Sequence, residues 1–255
     1  MTPSLNFTVL PAFPLVEPGD DLAALIVASA ETAELRLETG DVLVLAQKVV
    51  SKSENRYAYL NETTPSEAAL ELAARTDKDP RQVELILRES TEVVRQRRGA
   101  IIVEHREGYV HANAGIDASN ISSQPDNPRV LLLPEDSNAS ARRLRAALQE
   151  RLGVDVYIII NDSAGRAWRN GTCGFALGSA GFEALVSRIG DKDLFDRPLE
   201  ITQIAVADEL AAGASFLMGQ ADEGAPVVLV RGAPLRPSEQ GCETLIRAKS
   251  EDLFR

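Results

Sequence analysis

The stretch Ile158 to Gly178, IIINDSAGRAWRNGTCGFALG, constrains this chain more than any other. It opens as a run of large aliphatic residues, the pattern of a strand buried on both faces. It then breaks into Asn161-Asp162-Ser163-Ala164-Gly165-Arg166, a polar turn signal. Asp162 is thereby expected at the end of a buried strand, where a sheet delivers side chains into a crevice. Arg166 and Arg169 follow in the expected loop, with Trp168 between them and Gly165 and Gly171 as flexible points. An anionic substrate and a metal ion would both find partners there. The plainer alternative is that Asp162 caps a turn and both arginines are solvated.

Composition narrows the partners. A net charge of -11 argues against nucleic acid or an anionic membrane, though a local cluster of Lys and Arg can still bind a phosphorylated small molecule. With 44% hydrophobic and 25% charged residues, the chain reads as globular, and 255 residues can form one large domain or two small ones. The opening MTPSLNFTVL lacks a basic segment and a long apolar core, so no signal peptide is expected, and no apolar run would span a bilayer. Cys173 and Cys242 are too few for a disulfide framework or a zinc ribbon, which points to a reduced cytoplasm. His105 and His111 are the only histidines, so neither a His-rich metal site nor a Ser-His-Asp triad is expected. Any metal would rest on oxygen ligands, which favours Mg²⁺ or Mn²⁺.

Along the chain, Leu5 to Leu10 reads as a strand, and a helix from Gly19-Asp20 to about Ala33 would take Asp20 as its N-cap. Val42 to Ala46 is a second strand, followed by a loop carrying Gln47, Lys48 and Lys52, either a phosphate contact or a solvated edge. Helices are expected from Thr64-Pro65-Ser66-Glu67 to about Arg75, and from Arg81 to about Arg95 behind Asp79-Pro80. Ala100 to Val103 and Tyr109 to His111 read as paired strands. The loop Asn113 to Asn120 is made of small and polar residues with one acid, Asp117, and its side chains could simply satisfy their own backbone.

Val130 to Leu133 reads as a strand, and a helix follows from about Asn138 to Leu152, closed by Gly153. Val156 to Ile160 leads into the Asp162 segment. Further helices are expected from Ser179 to about Ile189 and from Glu200 to Gly219, the second apolar nearly all round and therefore buried. Asp208 and Glu209 would lie on an exposed stripe or near the site. Pro226 to Val230 is the last clear strand. Gly174, Gly178 and Gly181 miss a nucleotide-binding spacing and read as turn and close-packing positions. Irregular mixing of strands and helices favours an α+β fold with mixed and antiparallel sheets and packed helices.

Two acids expected at strand ends, Asp117 and Asp162, stand with the hydroxyl of Ser163 and the amide of Gln220. Lys48, Lys52, Arg166 and Arg169 add positive charge. Phosphoryl transfer needs such parts: oxygen ligands for divalent ions, and cations to offset developing charge. No Walker A motif, kinase glycine-rich loop or G-x-G-x-x-G is present.

The segments VEPGDDLAALI, GDVLVLAQKVVSKSE, NAGIDASN, NDSAGRAWRNGTCGFALG, ADELA with FLMGQADEG, and AKSEDLFR run in order along the chain. Together they resemble the coenzyme F420-0:L-glutamate ligase family, the gamma-glutamyl ligases of deazaflavin cofactor biosynthesis. NAGIDASN and the D-[ST]-x-G-R-x-x-R-x-G run are the most specific. Some relatives carry a C-terminal nitroreductase-like domain, and this sequence is expected to be the free-standing form, a single functional unit over residues 1–255 or two subdomains.

The resemblance implies an α+β protein forming an intertwined homodimer, with a GTP site unlike the P-loop. It implies GTP-driven addition of L-glutamate to the lactate carboxylate of coenzyme F420-0, with release of GDP and phosphate and, in some members, further gamma-linked glutamates. Mg²⁺ or Mn²⁺ would be required and K⁺ would assist. Carried over residue by residue, the metal ligands fall on Asp117, Asp162 and Ser163, with Gln220 close by. Nucleotide contacts fall on Phe13, Pro14, Leu15 and Val16, on Gln47, Lys48 and Lys52, on Asn120, and on Phe216, Leu217, Met218, Gly219, Gln220, Ala221, Asp222 and Glu223. Arg166 and Arg169 would hold the acceptor or the transferring phosphoryl group. Ser163 stands where threonine is common, which keeps the hydroxyl. Gln220 stands where some relatives have glutamate, which removes one charged ligand. Two other readings remain: a ligase of the same fold acting on another acid, and a nucleotide-binding protein without catalysis.

Overall fold

The computed structural model describes residues 2–253. The first residue of MTPSLNFTVL and the last two of AKSEDLFR lie outside the described residues. In chain order the elements are β1 (Asn6–Val9), α1 (Leu22–Thr32), β2 (Val42–Ala46), α2 (Gln47–Ser53), β3 (Tyr57–Tyr59), α3 (Glu67–Thr76) and α4 (Pro80–Arg88). They continue with β4 (Ser90–Arg97), β5 (Ala100–His105), β6 (Val110–Ala112), β7 (Arg129–Leu131), α5 (Ser137–Leu152), β8 (Tyr157–Arg166) and β9 (Arg169–Phe182). The last are β10 (Leu185–Ser187), β11 (Gln203–Ala205), α6 (Val206–Met218), β12 (Val227–Arg231) and β13 (Pro237–Ser238). Mixed and antiparallel sheets with packed helices make this an α+β protein, as expected.

The main sheet has the order β1-β12-β2-β8-β9-β13, in which β2 and β8 are parallel and the other neighbours antiparallel. Alternation along its strands separates two cores. Leu43, Leu45, Ile158, Ile160, Val227 and Leu229 face α1 and α5. Val42, Val44, Ile159, Val228 and Val230 face α6. Because helices cover both faces, these strands read as unbroken aliphatic runs. A third core gathers α3, α4 and the β4-β5-β6 sheet around Leu72, Val83, Ile86, Ile101 and Val103. Among the described residues, no helix is long and apolar enough to cross a membrane.

Several elements differ from the sequence expectations, each for a physical reason. The cap of α1 is Asp21, which accepts a hydrogen bond from Ala24 N at 3.0 Å, while Asp20 instead accepts one from Glu17 N. The helix expected to reach Arg95 stops at Arg88, and Ser90 to Arg97 is strand β4. Thr91, Val93 and Val94 favour that state, and the turn at Gly99 (φ +81) folds β4 back on β5. The loop expected after β2 is helix α2.

No turn follows Ile160. Strand β8 runs on to Arg166, and a tight turn at Ala167 and Trp168 (φ +63) returns it as β9. Nor does a helix begin at Ser179, because β9 continues to Phe182 with Ala180 opposite Ile158. Small residues there admit helices from both sides: a Cβ on Gly178 would lie 2.3 Å from the Ser137 carbonyl carbon, and one on Gly174 would lie 2.6 Å from Ala211 O. The close-packing reading of these glycines is thereby borne out. The expected Glu200 helix begins only at Val206, after strand β11, and it is not buried all round, since Phe216 is 87% exposed.

Candidate functional site

Sheet topology brings four chain segments to one edge. Parallel β2 and β8 end their pairing at Ala46 opposite Asn161. Strand β12 runs antiparallel to β2 and so starts at that edge, with Val227 opposite Leu45, while β1 ends there with Val9 opposite Val228. The segments after β1, after β2, beyond Asn161 on β8 and before β12 therefore converge. A crevice outside the carboxyl ends of parallel strands is where α/β sheets place ligands. Here it holds a cavity of about 560 Å³.

Most residues expected at a nucleotide or metal line this cavity. They are Phe13, Pro14, Leu15, Val16, Gln47, Lys48, Lys52, Asn120, Asp162 and Ser163, with Met218 through Glu223. Phe216 and Leu217, also expected there, are not on its wall; both are exposed on α6. Arg166 and Arg169 are paired across the hairpin turn, exposed and outside the cavity, and Arg166 Nη2 donates to Asn170 O at 3.2 Å. Sequence reasoning missed Glu17, Tyr57, Asn161 and Arg129, which also line it. Glu17 and Asn161 lie inside VEPGDDLAALI and NDSAGRAWRNGTCGFALG without having been assigned a role there, whereas Tyr57 and Arg129 carried no motif.

The two lysines stand one helical turn apart on α2, on one face. Lys48 Nζ lies 2.8 Å from Asp117 Oδ2 and donates to Ser119 Oγ at 2.7 Å. Asp117 itself is off the cavity wall; rather than ending a strand, it follows the Asn113–Gly115 turn and bridges to Leu131. Burial works against its charge, but Lys48 and the Ser119 N–H outweigh that and hold its carboxyl below the usual range. Lys52 Nζ donates to Asn120 O at 2.8 Å, and Asn120 Nδ2 donates to Ala221 O at 2.9 Å. The segment carrying Asp117 to Asn120 thus closes over the cavity and meets the Gly219–Gly224 loop.

Asp162 is the first β8 residue past the end of β2. Its Oδ1 accepts from Ser163 N at 2.8 Å. On its other side, His111 Nε2 faces Oδ2 at 3.2 Å, a close polar contact off the axis of an ideal hydrogen bond. His111 Nδ1 lies 2.9 Å from Ala112 O. Burial opposes a charge on the ring, but the Asp162 carboxylate and that carbonyl raise its pKa above the ordinary value. Beneath the site, Asn161 donates from Nδ2 to Met218 Sδ at 3.6 Å, and Gln220 Nε2 donates to Ser215 Oγ at 3.2 Å.

Among the described residues, no three His, Cys, Asp or Glu side chains form a cluster able to hold a metal by themselves. The donors present are oxygens: the Asp162 and Asp117 carboxylates, the Ser163 hydroxyl and the Gln220 amide. That set fits Mg²⁺ or Mn²⁺ held by one or two carboxylates together with ligand phosphates, and it does not suit a soft metal.

The F420-0:Gamma-glutamyl ligase family profile matches residues 12–232. A coenzyme F420:L-glutamate ligase of Methanopyrus kandleri is 48% identical over 259 residues, covering 99% of this chain and 98% of that protein. Proteins of the same name from Methanothermobacter thermautotrophicus and Archaeoglobus fulgidus are 46% and 43% identical, each covering 95% of this chain and, respectively, 95% and 93% of their own length. With the profile spanning most of its residues and relatives this similar from end to end, the chain belongs to the F420-0:gamma-glutamyl ligase family.

Proposed function

We propose that this protein is a GTP-dependent ligase that joins the amine of L-glutamate to the lactate carboxylate of coenzyme F420-0, with Mg²⁺ or Mn²⁺ required and K⁺ assisting. The observation that carries the reading is the cavity itself. Lys48, Lys52, Asp162, Ser163 and the Gly219–Gly224 loop, drawn from three distant parts of the chain, line one crevice. The names of its relatives, coenzyme F420:L-glutamate ligases, supply the acceptor and the amino acid.

A carboxylate does not condense with an amine in water without activation. Transfer of the γ-phosphoryl group from GTP to the acceptor carboxylate gives an acyl phosphate and GDP. Attack by the glutamate amine then forms the amide and expels phosphate. Every partner is an anion, so the chain's task is to position them and screen their repulsion. Lys52 serves the phosphates directly, and Lys48 ties the Asp117 segment over them. Asp162, Ser163 and Asp117, with Gln220 nearby, would hold the divalent ion. Such an ion would offset negative charge developing on the transferring phosphoryl group. No side chain is needed as nucleophile.

A homodimer belongs to the same proposal. Trp168, Leu194, Phe195, Ile201 and Phe216 are large apolar side chains at least 76% exposed, which supports a further subunit covering part of this surface. The activity is tested by incubating purified protein with GTP, Mg²⁺, L-glutamate and the acceptor, then following GDP by chromatography and the acceptor by mass spectrometry. A mass gain of one or more glutamyl units with matching GDP is expected. GTP consumed only with a different acid would reassign the acceptor, and tight GTP binding without turnover would make the protein a non-catalytic binder.

A further inference from the structure

Among the described residues, two cations on the cavity wall form no direct ion pair. Of the three basic side chains that line the cavity, Lys48 is paired with Asp117. Lys52 and Arg129 differ. Among the described residues, neither forms an ion pair with any carboxylate, and both line the cavity. Lys52 makes one hydrogen bond, to the neutral Asn120 carbonyl. Arg129 donates from Nε to Ser122 O at 2.6 Å, and Nη1 stands 3.5 Å from the Tyr59 hydroxyl. Its guanidinium lies over the Tyr57 ring, 3.9 Å from the centroid. Glu17 lines the same cavity without pairing to either.

This arrangement is costly without an anion. Burial and the nearby charge of Lys48 depress the Lys52 pKa and Arg129 adds to that repulsion, while the charge of Glu17 offsets only part of it. Nothing in the fold requires Arg129 to face inward on β7, since an arginine with free rotamers would extend to solvent. Instead, the Tyr57 face and the Ser122 carbonyl fix its plane and leave Nη2 free at the cavity. A guanidinium held in this way is preorganised to donate from Nη2 to an oxyanion.

We propose that Arg129 is a phosphate-binding residue of this site, and that with Lys52 it grips the polyphosphate of the nucleoside triphosphate. The assignment rests on the GTP-dependent reading above and adds a residue that no motif marks. The Tyr57 stacking and the Nε bond to Ser122 both need a planar guanidinium, so lysine is a poor substitute at this position.

The test is calorimetry of GTP, inorganic tripolyphosphate and guanosine on the wild-type protein and on Arg129→Gln and Arg129→Lys, each checked for an unchanged melting temperature. Arg129→Gln is expected to weaken GTP and tripolyphosphate about 10- to 100-fold, the scale of a charge-assisted hydrogen bond, with guanosine unaffected. Arg129→Lys should recover only part of the loss. Wild-type protein that binds neither GTP nor tripolyphosphate would overturn the nucleotide reading itself. Wild-type binding with unchanged affinity in Arg129→Gln would overturn the Arg129 assignment alone. So would a variant that binds GTP normally but shows a raised KM for the acceptor, because that places the contact on the other substrate.

Discussion

His111 Nε2 stands 3.2 Å from Asp162 Oδ2, although β6 and β8 belong to different sheets. The ring is packed against Phe175, with centroids 5.6 Å apart, and its Nδ1 lies 2.9 Å from Ala112 O. A carboxylate held from behind in this way keeps its orientation toward the cavity, and outer-shell partners of this type tune metal ligands.

Asp162→Asn is expected to abolish turnover while leaving the melting temperature near that of the wild type. His111→Gln should weaken divalent-ion binding about 10- to 100-fold, measured by Mn²⁺ titration with electron paramagnetic resonance in the presence of GTP. Near-normal turnover of Asp162→Asn with Mg²⁺ would remove Asp162 from the metal site.

Lys52→Ala should weaken GTP binding by about 1–3 kcal/mol, as expected for loss of one charge-assisted contact. Calorimetry reads this directly. An unchanged affinity would return Lys52 to the role of tethering Asn120.

Arg166 stands at the hairpin turn, outside the cavity. Arg166→Lys is therefore expected to leave GTP affinity unchanged and to raise the acceptor's KM severalfold, because lysine cannot reproduce a two-pronged grip on a carboxylate. Wild-type kinetics for both substrates would leave Arg166 with only its bond to Asn170.

Gly178→Ala would drive a Cβ to 2.3 Å from the Ser137 carbonyl carbon, where both partners are backbone. Chemical denaturation should show a loss of about 1–3 kcal/mol, the cost of overpacking a filled core. Stability equal to wild type would mean that α5 and β9 separate easily.

Glu89 makes ion pairs with Arg56 at 3.1 Å and Arg106 at 3.2 Å. Burial opposes its charge, yet His105, Arg106 and Arg56 bring its pKa down from 4.5 to about 2. A depressed carboxylate pKa contributes stability that is fully present above pH 4.5 and is lost as pH falls toward about 2. Glu89→Gln should lower the melting temperature at neutral pH and flatten its fall across that acid window. A parallel acid limb in the variant would assign acid unfolding to other groups.

Some of this protein is written in local chemistry. Aliphatic runs marked β2, β8 and β12 because a strand covered on both faces cannot spare polar positions. Ser66, Asp79-Pro80 and Gly153 announced their helix ends because capping is satisfied within a few residues. The family, too, was legible in NAGIDASN and the D-[ST]-x-G-R-x-x-R-x-G run, and those stretches supply Asn120, Asp162 and Ser163 to the cavity. Other features depend on partners remote in the chain. The helix expected to run to about Arg95 gave way at Ser90 to strand β4, which β5 was there to pair with. Ser179 to Phe182 stayed in β9 because Ile158 and its neighbours offered a ladder, and Gly178 let α5 approach. His111 met Asp162 only when separate sheets docked, Lys48 reached Asp117 from helix α2, and Arg129 came over Tyr57 once β7 paired with β3. Charge pairing over such separations follows from packing, which no local window of residues encodes.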